Sequence, residues 1–178
     1  ANSAAILQWP DTLHNGGILR YGGRNWVRPG LMLFGASPLR SRTAAELGLQ
    51  PAMSFETRLI SVKAVAMGQR VGYGGHWVAP RNSVLGIAAA GYADGYPWHA
   101  RSGTRVGVGS AFGTLVGRVS MDMISIDLSD APGAVIGDRV VLWGDGPGVE
   151  EVATAANTIP WTLMTGINRR VAVRIDAG

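Results

Sequence analysis

Apolar and polar residues take turns over residues 54–65, from Ser54 and Phe55 through Leu59, Ile60, Ser61 and Val62 to Lys63, Ala64 and Val65. A two-residue period sets one row of side chains against a core and the other in water, so it predicts a half-buried strand. Related runs recur at residues 84–90, 105–108, 114–120, 123–128 and 139–143, separated by Gly and Pro turns. Six strands at such short spacing predict an antiparallel sandwich or barrel. Residues 149–157 are helical in character instead, with Glu150 and Glu151 in a first turn where negative charge suits the helix dipole. A second short helix is expected from Pro160, and a final strand over 171–175.

The texture before residue 47 is different. Residues 1–10 read as a helix start just after a strand, and residues 13–23 are Gly-rich. Residues 26–35 have the shape of a short buried strand of the kind that closes a parallel sheet. Gly, Ser and Pro then thicken, and a short helix is expected over 43–47. The expected division is therefore residues 1–46, the tail of one domain, and residues 47–178, a mainly β domain.

Composition narrows the function classes. A chain of 178 residues with 47% hydrophobic content can build a real core. No apolar run approaches the roughly 20 residues of a membrane helix. The net charge is +4, but the arginines are scattered and form no basic stripe, so nucleic acid is not an expected partner. Cysteine is absent, which removes disulfides and thiolate metal sites and is compatible with a reducing cytoplasm. His14, His76 and His99 lack ligand spacing, so no metal site is expected. The chain starts at Ala1 rather than Met and carries no secretory signal, which leads us to expect a processed or truncated polypeptide. Lysine occurs once, at Lys63, within the alternating run on an expected wet face.

Two tyrosines stand beside glycines where apolar runs end: Tyr73, between Gly72 and Gly74, and Tyr92, after Gly91. Glycine lets the backbone bend and lets other groups approach. A phenol held at such a bend on a rigid scaffold is placed to meet a ligand.

Five segments in series resemble the alanine racemases. They are Ala1-Asn2-Ser3-Ala4; Val27-Arg28-Pro29-Gly30 with Phe34-Gly35; Val71-Gly72-Tyr73-Gly74; Gly91-Tyr92-Ala93-Asp94-Gly95-Tyr96-Pro97; and Val116-Gly117-Arg118-Val119-Ser120-Met121-Asp122-Met123. Order and approximate spacing match along nearly the whole chain, against the C-terminal half of the family. The resemblance implies that residues 1–46 are the last elements of a (β/α)8 barrel and residues 47–178 the C-terminal β domain. It also implies pyridoxal 5'-phosphate as cofactor, joined to a lysine in the preceding barrel half, a place Lys63 cannot take.

Racemisation needs a proton removed from one face of an α-carbon and another delivered to the opposite face. In the family a lysine serves one face and a tyrosine the other, and the matching residue is Tyr73. A phenol has a reference pKa of about 10, so neutral-pH chemistry calls for positive charge and hydrogen bonds around it. The resemblance routes that support through a barrel histidine to Arg28. It also sets Arg28 against the cofactor's ring nitrogen, where an always-protonated guanidinium leaves that nitrogen unprotonated.

Asn2, Ser3 and the amides near Gly30 and Leu31 match the family's phosphate-binding positions, as does Trp161; barrels often bind phosphate at such loops. Tyr92 matches a tyrosine that narrows access to the site. Met121 matches the residue whose amide meets the substrate carboxylate, with Asp122 as its positioning neighbour. The β domain of one subunit completes the site on its partner's barrel, which implies a homodimer. The implied activity is interconversion of L- and D-alanine, supplying D-alanine for peptidoglycan in the cytoplasm.

Three departures, together with the single lysine and the non-Met start, leave alternatives open. Trp98 stands where the family has Arg, Trp161 where it has Tyr, and residues 13–23 are longer than the usual connection. Indole donates a hydrogen bond but accepts none. The alternatives are a racemase acting on another amino acid such as serine, and a non-catalytic β module that binds or assembles.

Overall fold

The computed structural model describes residues 1–11, 20–21 and 24–175, with residues 20, 21, 24 and 25 described by backbone alone. The expected Gly-rich connection over 13–23, and His14 within it, fall almost wholly outside the described residues. The chain forms two compact units, Ala1–Met53 and Ser54–Gly178.

The second unit is built on a closed six-stranded antiparallel barrel. Its strands are Phe55–Val65 (β3), Ser83–Ala88 (β6), Arg105–Val108 (β7), Ala111–Val116 (β8), Ile124–Asp127 (β9) and Arg139–Trp143 (β10). The order around the ring is β10-β3-β6-β9-β8-β7, closing from β7 back to β10. The mainly β fold expected from the alternating runs is therefore observed, as a barrel.

The alternation does what the period requires. Phe55, Leu59 and Val65 of β3 turn inward while Ile60 and Lys63 face out. The slip between Leu59 and Ser61 is a register irregularity against β6. Leu85, Val106, Leu115, Ile124, Ile126, Val140 and Leu142 fill the interior. Burial of each such side chain contributes about 1.5–3 kcal/mol relative to exposure. Trp143 is fully buried and its ring meets Phe55 at 5.8 Å between centroids.

Two helices follow β10: Val149–Ala155 (α2), with Glu150 and Glu151 in its first turn, and Pro160–Thr165 (α3), with proline at its start. Proline suits that position because its missing N–H would have had no partner there. A small ladder of Arg70–Val71 (β4) and Trp77–Val78 (β5) lies outside the barrel. Val71 and Trp77 pack on a cluster of Val65, Ala79, Leu85 and Val116.

The first unit holds a helix, Ser3–Gln8 (α1), and a two-residue ladder of Arg20–Tyr21 (β1) with Arg24–Asn25 (β2). Asn2 caps α1 through its side-chain oxygen, which accepts from the Ala5 amide at 3.0 Å.

Two expected strands are not formed. Within residues 26–35, Arg28 makes a single parallel bridge to Asn2, and Leu31–Phe34 is a 3-10 turn. Pro29 has no amide to give a ladder, and the amides of Gly30 and Met32 turn to the Ser3 hydroxyl. Residues 171–175 form no strand either, and Val173 and Ile175 are 82% and 92% exposed. A closed ring has no free edge to receive a further strand. The runs at 84–90 and 114–120 also end early, at Ala88 and Val116, the latter followed by a left-handed Gly117.

Candidate functional site

The link from β4 to β5 is a 3-10 turn, Tyr73–Gly75, entered through Gly72 at φ 77°. That backbone state strains any residue with a Cβ. The Gly75 amide closes the turn onto the Gly72 carbonyl at 3.1 Å, and Arg70 donates to the Gly75 carbonyl at 3.1 Å. The result is a short projecting finger with Tyr73 at its tip, 75% exposed. Its base lies beside Gly117 and Arg118, since a Cβ on Gly72 would stand 3.9 Å from the Arg118 amide nitrogen.

The second tyrosine segment turns as a 3-10 unit, Tyr92–Asp94. Asp94 reaches back to accept the Gly91 amide at 2.8 Å. This turn is stitched to the Met121 segment, the Tyr92 amide donating to the Ser120 carbonyl at 3.0 Å and the Ala93 amide to the Met121 carbonyl at 2.9 Å. Such closeness needs Gly91 to have no side chain, because a Cβ there would sit 2.2 Å from the Ser120 oxygen. Tyr92 and Met121 are 45% and 54% exposed, whereas Tyr96 of the same motif is buried, with its hydroxyl unpartnered. Burial pushes the Tyr96 phenol well above its ordinary value and marks it as a packing group.

Arg170 joins these segments. Its Nε donates to Asp94 Oδ1 at 2.6 Å, and its Nη2 donates to Asp122 Oδ1. Burial of Asp94 by itself raises its pKa. The Arg170 hydrogen bond, the Gly91 amide and the Arg170 charge outweigh that effect, so the carboxyl sits below its ordinary value. A depressed folded pKa contributes stability that is present above the unfolded carboxylate range and is lost as pH falls through the folded value. We expect D94N to lower the melting temperature of the full-length protein near neutral pH. The deficit should shrink as pH falls below about 4; a deficit that stays constant to pH 3 would contradict this assignment. The sequence reading did not single out Arg170, which stood next to an expected strand.

A cleft of about 350 Å³ opens near the Tyr73 finger, lined by His76, Trp98, His99, Arg101 and Arg118 among others. Trp98 and His99 meet edge to face at 4.9 Å. Neither Arg101 nor Arg118 has an acidic partner among the described residues, and no carboxylate lines the cleft. Such a wall attracts anions.

In the first unit, Ser3 is 5% exposed and its Oγ accepts from the Gly30 amide at 2.9 Å and the Met32 amide at 3.4 Å. The Arg28 amide donates to the Ala1 carbonyl at 2.7 Å, bringing Arg28 beside Asn2. Asn2, Ser3, Arg28, Gly30 and Leu31 thus form one group. Because the Ser3 oxygen already accepts two amides, its own proton is left to donate outward. Nothing stands within 4 Å of where a Gly30 Cβ would be. The Gly30, Met32 and Arg28 amides are engaged within the group, and the Ser3 hydroxyl donor beside open space at Gly30 is what fits the phosphate the resemblance implies. Trp161, the second residue of α3, is exposed and belongs to the other unit.

Residues 52–175 match the family described as alanine racemase, C-terminal domain. The chain is 49% identical over 174 residues to the biosynthetic alanine racemase of Pseudomonas aeruginosa, covering 98% of this chain and 46% of that protein. It is 48% identical to the alanine racemase of Laribacter hongkongensis, with 98% and 46% covered. The crystal structure of the Pseudomonas aeruginosa biosynthetic alanine racemase superimposes with a TM-score of 0.89 at 47% identity, covering 99% of this chain and 47% of that one. The chain spans about half the length of the curated relatives it matches. A match to the C-terminal domain over most of the chain, with a barrel of the same fold, establishes that the chain belongs to the alanine racemase family.

Proposed function

We propose that this chain is the C-terminal portion of an enzyme that interconverts L- and D-alanine with pyridoxal 5'-phosphate, providing D-alanine for peptidoglycan in the cytoplasm. The observation that carries the reading is Tyr73 held at the tip of a glycine-built finger in a domain of this family. Residues 1–46 would be the end of the cofactor-binding barrel and 47–178 the β domain. Ser3 and Asn2, with the backbone near Gly30 and Leu31, would hold the phosphate, and Arg28 the ring nitrogen. When bound, the cofactor supplies the electron-withdrawing system that acidifies the substrate α-C–H.

Tyr73 gives and takes the proton on one face of the α-carbon, opposite a lysine of the preceding barrel half. Phenol and phenolate are the two states it cycles between, so its hydroxyl must meet the reacting carbon directly. The Met121 amide receives the substrate carboxylate, with Asp122 holding that segment, and Tyr92 narrows access. These groups act on a partner's barrel in a homodimer, so the preceding barrel segment and a second copy are both required partners.

The test is to express the full-length protein and follow D-alanine formed from L-alanine. Turnover in both directions supports the proposal, and a folded dimer inactive on every amino acid would point to a binding module instead. A second reading, a racemase for another amino acid such as serine, rests on Trp161 and on Trp98, which lines the cleft. Ranking alanine and serine by kcat/KM decides between them.

A further inference from the structure

The Met121 amide is aimed by a chain of contacts that ends at Arg170. A trans peptide is planar, so the Met121 N–H points opposite the Ser120 carbonyl. That carbonyl is fixed by the Tyr92 amide at 3.0 Å, and the next one, of Met121, by the Ala93 amide at 2.9 Å. The direction of the Met121 N–H therefore follows the geometry of the Tyr92 turn.

The Tyr92 turn is in turn held by Asp94. One carboxylate oxygen accepts the Gly91 amide at 2.8 Å and the other accepts Arg170 Nε at 2.6 Å. The same guanidinium donates to Asp122, the residue after Met121. Arg170 is itself placed by backbone, the Asn168 amide donating to the Asp94 carbonyl at 3.2 Å and the Val171 amide to the Asn168 carbonyl at 3.0 Å. A guanidinium is a rigid planar fork, so its Nε and Nη2 fix the separation of the two carboxylates they hold. Exposed ion pairs are individually weak. Here the Asp94 side chain is only 14% exposed, so losing Arg170 leaves a mostly buried carboxylate short of a donor.

We propose that Arg170 is a positioning residue for substrate carboxylate binding: by bridging Asp94 and Asp122 it holds the Tyr92 turn and the Met121 segment in the register that aims the Met121 amide. The inference rests on the role given to Met121 above. Arg170 acts through the two aspartates and does not touch the reacting atoms.

In the full-length protein, R170Q should raise KM for both alanine enantiomers about tenfold and change kcat by less than about twofold, the signature of lost binding shared by ground and transition states. R170K, which keeps the charge and loses the fork, should recover part of the affinity. D122N should raise KM in the same direction, and adding it to R170Q should cost little more, because both changes break one link. Hydrogen exchange at the Tyr92 and Ala93 amides should quicken about tenfold in R170Q, as local opening becomes easier. A lower melting temperature with unchanged KM would make Arg170 a structural tie alone and overturn the proposal, as would unchanged exchange at those amides. If the wild-type protein does not turn over alanine, the activity proposed above fails, and the exchange measurement still decides whether Arg170 holds the two segments together.

Discussion

Replacing Tyr73 with Phe in the full-length protein is expected to lower alanine turnover by about 10²–10⁴-fold, the span contributed by a positioned general acid or base. The change removes one oxygen from a side chain that is 75% exposed at the tip of its turn. The finger is shaped by the glycines around it and by Arg70, none of which needs the hydroxyl. The melting temperature should therefore hold, in keeping with the small effects of surface substitutions. Deuterium uptake at the α-carbon gives a sharper reading than rate alone. With one of two opposed proton carriers missing, the enantiomer that faces the remaining carrier should still exchange with heavy water. The other should not. Normal racemisation by Y73F, or equal loss of exchange from both enantiomers, would remove Tyr73 from the role assigned to it.

Gly91→Ala is expected to have the largest effect on the fold near the site, a loss of about 3 kcal/mol at the upper end of overpacking costs. Gly91 has φ −149°, an extended state open to every residue, so the effect is purely one of space. An added methyl would lie 2.2 Å from the Ser120 oxygen and 2.5 Å from the Met121 oxygen. Both are backbone atoms of a segment hydrogen-bonded to the Tyr92 turn, and neither can rotate aside as a side-chain end could. Relief requires the two segments to part, breaking the bonds from Tyr92 and Ala93. G91A should therefore lower the denaturant midpoint and raise KM for alanine together. A midpoint equal to wild type would show that the segments are less closely joined than described here.

The barrel strands were legible because a two-residue period survives in β3 and β9, and because β6, β7, β8 and β10 are short apolar runs bounded by Gly and Pro turns. Ring closure was not legible. Residues 171–175 are as apolar as a barrel strand, yet Val173 and Ile175 stand in water beside a ring that has no free edge to take them. The finger carrying Tyr73 stands on two-residue ladders, too short for a period to register, yet its glycines marked the bend. The same cues could not separate Tyr92 from Tyr96, which differ only in which way tertiary packing turns them. Arg170 escaped notice because its partners lie 76 and 48 residues away, and no local pattern encodes so long a link.

Every strand of the barrel has a partner on both sides. The finger with Tyr73, the Tyr92 turn and the Met121 segment are all suspended from this ring and take no part in its ladder. Chemistry and scaffold are thus separable under selection. Residues at the cleft, Trp98 among them, can be exchanged without exposing an unpaired strand to a neighbouring molecule. On the activity proposed above, the residues that choose the amino acid can change while the ring beneath stays folded and resistant to edge-to-edge aggregation.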